Sequence, residues 1–345
     1  MWSDRRLLEL FEIEHPIVLA PMAGLGTIGL AASVCEAGGL GSLGCATMQP
    51  QLVAKTIQEL RALTSKPINV NFFCHAQAKV DPDREDAWQD RLLPYYRELG
   101  NDYVSLRSRL DIPPFGDAMC TVVEDAKPEV VSFHFGLPAP ALLARVKAAG
   151  CRVMSSATTV EEALWLEAGG VDAIIAQGYE AGGHRGMFLA TNLSNAIVSQ
   201  TGTLPLVPQI VDAVRVPVIA AGGIADGRGI AAAFALGAAG TQLGTAYLLC
   251  PEAATPPLYR DALRHVRGDA TLMTNVFSGR PARILVNRLA LGVGPILDAP
   301  LDFPLPMGEL QHLRAPRLSS RGAPTSRRSG RVKPHRWEGR CPPRH

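Results

Sequence analysis

The chain has 345 residues, 47% hydrophobic and 19% charged, which points to a globular protein with a large buried core. Its formal charge of +2 is uneven: ten of the 34 Lys and Arg and one of the 32 Asp and Glu fall in Arg314–His345, leaving the rest at −7, so nothing in the body suggests nucleic-acid binding. No apolar run approaches the ~20 residues that span a bilayer, the opening MWSDRRLLELFEIEHP lacks a signal-peptide core, and seven scattered cysteines without a C-x-x-C pair fit a reduced, cytoplasmic protein rather than a disulfide framework or a zinc site.

Ile17–Ala20 reads as a first strand, followed by the turn Pro21-Met22-Ala23-Gly24. Ile28–Ala37 reads as a helix stopped by Gly38-Gly39. Leu40–Leu43 is a second strand, and Gln51–Leu63 has helical spacing, with Leu52, Ile57, Leu60 and Leu63 expected on one side. Pro67–Phe72 is a third strand carrying Asn69 and Asn71 on one face, where a barrel interior normally takes Val, Ile or Leu. From the residue alone, Asn71 is equally a ligand contact or an asparagine closing a turn.

The stretch 76–126 is too long for an ordinary connection and reads as a helical insertion over a barrel mouth. Val130–Phe133 is strand four, leading into His134, and Pro138–Ala149 is its helix. Arg152–Ser155 and Asp172–Ala176 are strands five and six, with the helix Thr159–Ala168 between them. After Gln177 comes a glycine-rich loop, Gly178–Leu189, holding Glu180, His184 and Arg185; a histidine there serves as a base near neutral pH.

The helix Leu204–Val214 precedes strand seven, Val216–Ala221, which ends in Gly222-Gly223. Asp226 is placed to cap the helix Gly227–Leu236. Strand eight, Gly240–Leu243, ends in Gly244-Thr245. Two successive β-α units thus end in glycine at the strand's C-terminal edge, where backbone N–H groups approach an anion closely. In (β/α)8 barrels the phosphate site lies after strands seven and eight. Beyond them, 251–313 reads as a second insertion, with a helix over Tyr259–Val266. Arg280 and Arg283 sit around a turn in Thr274–Val286, either at a rim, positioning an anion, or as structural arginines.

The expected fold is therefore α/β: a (β/α)8 TIM barrel over 1–313, with a smaller, mainly helical second domain built from the insertions. A phosphate site alone admits a sugar phosphate, a nucleotide or a flavin mononucleotide. The G-x-G-x-x-G fingerprint, catalytic-metal spacing and the G-x-S-x-G elbow are absent from the sequence.

Seven stretches in order, PIVLAPMAG, PINVNFF, VVSFHFG, AQGYEAGGHRG, VPVIAAGGIADGRG, GTQLGTAYL and TNVFSGRPAR, resemble the nitronate monooxygenases, over residues 13 to about 313. The resemblance implies FMN contacts at Met22, Ala23, Asn71, Gln177, Gly182, Gly222, Gly223, Gln242, Leu243, Gly244 and Thr245. It implies His184 as catalytic base and His134 as a lining residue of the substrate pocket. The implied chemistry is oxidation of alkyl nitronates, and of nitroalkanes after proton removal, by O2 to a carbonyl compound and nitrite. A reductase using NAD(P)H on quinones or enoyl thioesters is the alternative on the same barrel.

The C-terminal stretch departs from the family, whose members continue with a segment like DFSPLWSGQ. Codons chosen for Thr325–Pro334, read one base earlier, encode that segment. The sequence reading therefore expects 314–345 to be a disordered basic tail produced by a frameshift, its rival being a genuine tail of the same composition.

Overall fold

The computed structural model describes residues 2, 4–98, 110, 112–265, 270–297, 301–310 and 313. The chain divides into Met1–Leu313 and Arg314–His345; the second unit, and with it the expectation of a frameshifted tail, lies outside the described residues.

Eleven strands are described: β1 Ile17–Leu19, β2 Gly41–Gly44, β3 Ile68–Phe73, β4 Val130–His134, β5 Arg152–Ala157, β6 Ala173–Gln177, β7 Gly183–His184, β8 Val218–Ala221, β9 Gly240–Leu243, β10 Thr271–Thr274 and β11 Ala282–Leu285. Eight of them form one parallel sheet in the order β1-β9-β8-β6-β5-β4-β3-β2. Leu40 closes it: its N–H donates to Ile17 O and its carbonyl accepts from Leu19 N, both at 2.9 Å. The result is the eight-stranded parallel barrel that the spacing of apolar runs anticipates.

Register fixes what faces inward, because paired residues in parallel strands share a face. Leu19, Val70, Val131, Phe133, Ile174 and Ala220 face the helices and make the larger core. Val18, Val130, Met154, Ala173, Ile175 and Ile219 fill the barrel interior with Leu7, Leu8 and Phe11 of the helix Arg6–Phe11. That helix stoppers the end of the barrel where the strands begin, and a Cβ on Gly240 would strike Leu7.

Helix caps follow local chemistry. Asp226 accepts from the N–H groups of Arg228 and Gly229, as its position predicts, and Thr27, Thr159 and Asn287 cap three other helices. In the helix Pro50–Arg61 the buried face is Val53, Thr56, Ile57 and Leu60, at the i, i+3, i+4, i+7 spacing of one stripe. Leu52, expected on that side, lies off the stripe, and Leu63 lies beyond the helix's last residue, Arg61; both are exposed.

Within 76–126 two helices are described, Pro82–Glu98 and Asp117–Ala126. The second buries Cys120 and Val123 in the main core, so it serves as the ordinary barrel helix between β3 and β4. The first packs Trp88, Leu92 and Tyr96 against Val276, Leu301 and Leu310 in a separate core. Beside these helices stands an element absent from the sequence reading, the three-stranded antiparallel sheet β10-β11-β7. It pairs Ala282 with His184 and Arg283 with Gly183.

Candidate active site

The barrel interior changes character toward the strands' C-terminal ends. Asn69 Nδ2 donates to Ser42 Oγ at 2.9 Å and Ser132 Oγ at 3.0 Å. Asn71 Nδ2 donates to Ser132 O at 3.1 Å and Ser132 Oγ at 2.9 Å. The two asparagines share a face, as alternation predicts. One strand along, His134 Nε2 meets the His184 carbonyl and Nδ1 meets Ser156 Oγ, both at 3.1 Å. A carbonyl only accepts, so Nε2 carries the proton and Nδ1 accepts from the serine. Burial, reinforced by His184 and by Arg280 and Arg185, pushes the His134 pKa down to about 3. His134 is a neutral ring at working pH.

Gln177 closes this row. Its Nε2 donates to His184 O at 2.9 Å, while Oε1 accepts from Gly186 N at 2.8 Å. The side chain expected at a cofactor thus also anchors the loop that bears His184. A Cβ on Gly186 would come within 3.0 Å of His134 and Ser156, which is why the loop presses so closely there.

Arg185 is fully buried. It donates to Gln177 O at 2.7 Å, Gly178 O at 2.5 Å and Gln200 Oε1 at 2.5 Å. Glu180 accepts from Thr203 N at 2.7 Å and Thr203 Oγ at 2.9 Å. Buried Glu162 accepts from Phe188 N and from Thr158 N, each at 2.7 Å. These ionic side chains satisfy backbone groups of the loop and its surroundings.

His184 stands on β7, with Nε2 2.8 Å from Ser278 Oγ. Rings surround it: Phe303 at 5.5 Å, Phe135 at 5.9 Å and Phe73 at 6.2 Å between centroids, all near-perpendicular. Phe135 has a φ of 69°, a conformation a bulky residue rarely adopts, and it holds that ring against His184. His75 packs on Phe303 at 4.7 Å and donates through Nε2 to Ile112 O at 2.9 Å. Burial first, with help from Arg280, lowers its pKa to about 4.

The opposite side of the mouth is backbone. A Cβ on Gly44 would lie 2.7 Å from Ala23 N, and one on Gly244 3.8 Å from Met22 Sδ. A Cβ on Gly182 would lie 3.0 Å from Thr245 Oγ1, and one on Gly222 2.9 Å from Ala181 N. The turn after β1, the loop after β6 and the ends of β8 and β9 therefore converge. Gly222 and Gly223 have φ of 116° and 68°, the left-handed side that favours glycine. Among the described residues, the N–H groups of Gly182, Gly222, Gly223 and Gly244 donate to no protein acceptor. Gln242 Oε1 is buried with no partner. Leu243 pairs with Leu19, whose side chain faces the helices, so only its backbone borders the mouth.

Comparison with known proteins fits this geometry. The family described as Nitronate monooxygenase matches residues 4–321. The chain belongs to that family. It is accordingly an oxidoreductase. A nitronate monooxygenase of Paraburkholderia phytofirmans is 46% identical over 305 residues, 88% of this chain and 82% of the relative. A solved nitroalkane oxidase of Streptomyces ansochromogenes superposes with a TM-score of 0.81 at 39% identity, covering 90% of this chain and 86% of that one. FabK of Thermotoga maritima gives 0.61 at 36% identity, covering 81% and 74%.

Of the residues expected at the site, those on the glycine loops meet at one side of the mouth, and Asn71, Gln177, His134 and His184 meet at the other. The expectation from sequence alone omits Ser278, His75, Phe73, Phe135 and Phe303 from this family member's site. Ser278 lies in the FSGRPAR stretch, but its link to His184 exists only through the β11–β7 pairing. Among the described residues, no helix is long and apolar enough to cross a membrane, and no His, Cys, Asp and Glu group is arranged to hold a metal.

Proposed function

We propose that this protein is an FMN-dependent nitronate monooxygenase, converting alkyl nitronates and O2 to a carbonyl compound and nitrite. Neutral nitroalkanes are substrates after loss of a carbon-bound proton. The carrying observation is the pairing of one imidazole, His184 in its aromatic box, with a facing rim of unpartnered backbone N–H groups.

The residues fit FMN. The N–H groups of Gly182, Gly222, Gly223 and Gly244, beside Thr245, suit phosphate oxygens. At Gly222 a Cβ would press on Thr203 Oγ1 and Ala181 N, so this close turn of the rim needs glycine. The orphaned Gln242 Oε1 suits a ring N–H, and Met22, Ala23, Asn71, Gln177 and the Leu243 backbone complete the contacts. When bound, the flavin supplies the electron carrier between substrate and O2.

The chain's own residues do the rest. His184 takes the carbon-bound proton of a neutral nitroalkane; a preformed nitronate needs no base. Ser278 sets the ring's rotation through its bond to Nε2. His134 and Gln177 hold the backbone carbonyl of His184. Phe73, Phe135 and Phe303 keep water from the imidazole.

The likeness to FabK keeps the NAD(P)H-dependent reductase as the competing reading. Purified protein is expected to show flavin absorbance in the visible blue and to consume O2 and release nitrite with ethyl nitronate. Anaerobic mixing with NADH should leave the flavin oxidised. Rapid bleaching there would replace this reading with the reductase.

A further inference from the structure

We propose that Arg280 is the anion-recognition residue of this site: its guanidinium, packed on the aromatic box around His184, receives the negative charge of the nitronate and sets the preference for the anion over the neutral nitroalkane. The inference rests on the nitronate reading above.

Arg280 Cζ lies 4.2 Å from the centroid of the Phe135 ring, the same ring that stands 5.9 Å from His184. Its backbone is tied to the site as well, since Ser278 Oγ, which meets His184 Nε2, also donates to Arg280 O at 3.2 Å. A guanidinium has five N–H donors. Arg280 uses one, Nη1 to Met187 O at 2.6 Å. Among the described residues, no carboxylate comes within ion-pair distance of it.

The other two arginines of this region differ. Arg185 spends its donors on Gln177, Gly178 and Gln200. Arg283 spends its own on Tyr179 O and Thr271 Oγ1. Both brace the loop. Arg280 keeps donors that the fold leaves unused, although burial of a cation is costly without acceptors. Burial lowers its pKa to about 10, which leaves it charged at neutral pH. The two histidines flanking the box, His75 and His134, are held neutral. An entering nitronate therefore finds a permanent cation in Arg280, with a planar fork matched to its two oxygens.

The test uses the full chain with its flavin, in wild type, Arg280→Met and Arg280→Lys. Nitrate, a planar oxygen–nitrogen anion, is titrated by calorimetry, and ethyl nitronate and nitroethane are compared as substrates. Arg280→Met should weaken nitrate binding about tenfold or more and raise KM for ethyl nitronate about as much, while KM for nitroethane moves less than about threefold. Arg280→Lys, which keeps charge without the fork, should fall between. Equal changes for both substrates, or unchanged nitrate affinity, would overturn the assignment. Should the methionine variant not fold, the lysine variant decides by the same comparison. A wild type that binds nitrate but turns over neither substrate refutes the nitronate reading, and the nitrate titrations then decide Arg280 by themselves.

Discussion

His184 and Ser278, 94 positions apart, meet with Nε2 2.8 Å from Oγ. The strand pairing of Ala282 with His184 brings them together. Removing the hydroxyl in Ser278→Ala deletes the bond that orients Nε2. Turnover of nitroethane should fall about tenfold, with a smaller loss on preformed ethyl nitronate. His184→Asn should retain flavin and lose about 10²–10⁴-fold on nitroethane, again sparing the nitronate. Oxygen uptake with the two substrates reads both variants. Small, equal losses on both would remove His184 as the base.

Gly223 has a φ of 68° and lies at the rim of unpartnered N–H groups. A Cβ there meets only the Glu180 side chain, Cβ at 3.4 Å and Cγ at 3.8 Å. Gly223→Asp thus adds a charge to the cradle without a hard clash, at a backbone cost of about 1–2 kcal/mol. The variant should fold and purify without flavin. Normal flavin absorbance per chain would mean that the phosphate lies elsewhere.

His75 and His134 are neutral when folded, with pKa values near 4 and 3. In the unfolded chain both return to about 6.5. Below that pH the unfolded state binds more protons, so stability is full above about 6.5 and declines toward pH 4. Each histidine adds a slope of up to about 1.4 kcal/mol per pH unit across that window. Urea midpoints from pH 7.5 to 4.5 should show it. His75→Gln, which retains a donor for Ile112 O, should flatten the curve by about one proton; an unchanged curve would show that His75 titrates normally.

Arg185→Met fits the volume but strips donors from Gln177 O, Gly178 O and Gln200 Oε1. Leaving such acceptors unpaired in a buried place should cost about 3 kcal/mol. The urea midpoint at constant slope measures it. A shift below about 1 kcal/mol would show that water or repacking replaces the guanidinium.

The barrel was legible because its strands are buried on both faces. Val216–Ala221 and Gly240–Leu243 read as short apolar runs ending in glycine, and they agree with β8 and β9 to within two residues. The cap at Asp226 is local chemistry and could be read directly. Alternation put Asn69 and Asn71 on one face, but their bonds to Ser132, 61 to 63 positions away, carry no sequence signal. A two-residue strand such as Gly183–His184 has no periodicity to detect. Ser278, His75 and Phe303 gain their places only through pairing and packing between distant segments. The positive φ of Phe135 is likewise invisible in its letter.

The helix Arg6–Phe11 fills the barrel where the strands begin, with Leu7 and Phe11 almost wholly buried. The barrel is a cup rather than a tube. Whatever reaches the row of Asn71, His134 and Gln177 through the interior arrives and leaves by the same mouth. Substrate entry and product departure then share one doorway, so a product still in the cup excludes the next substrate. Inhibition by product should accordingly compete with substrate, and widening the far end by trimming Leu7 would create a second exit only by dismantling the core that closes it.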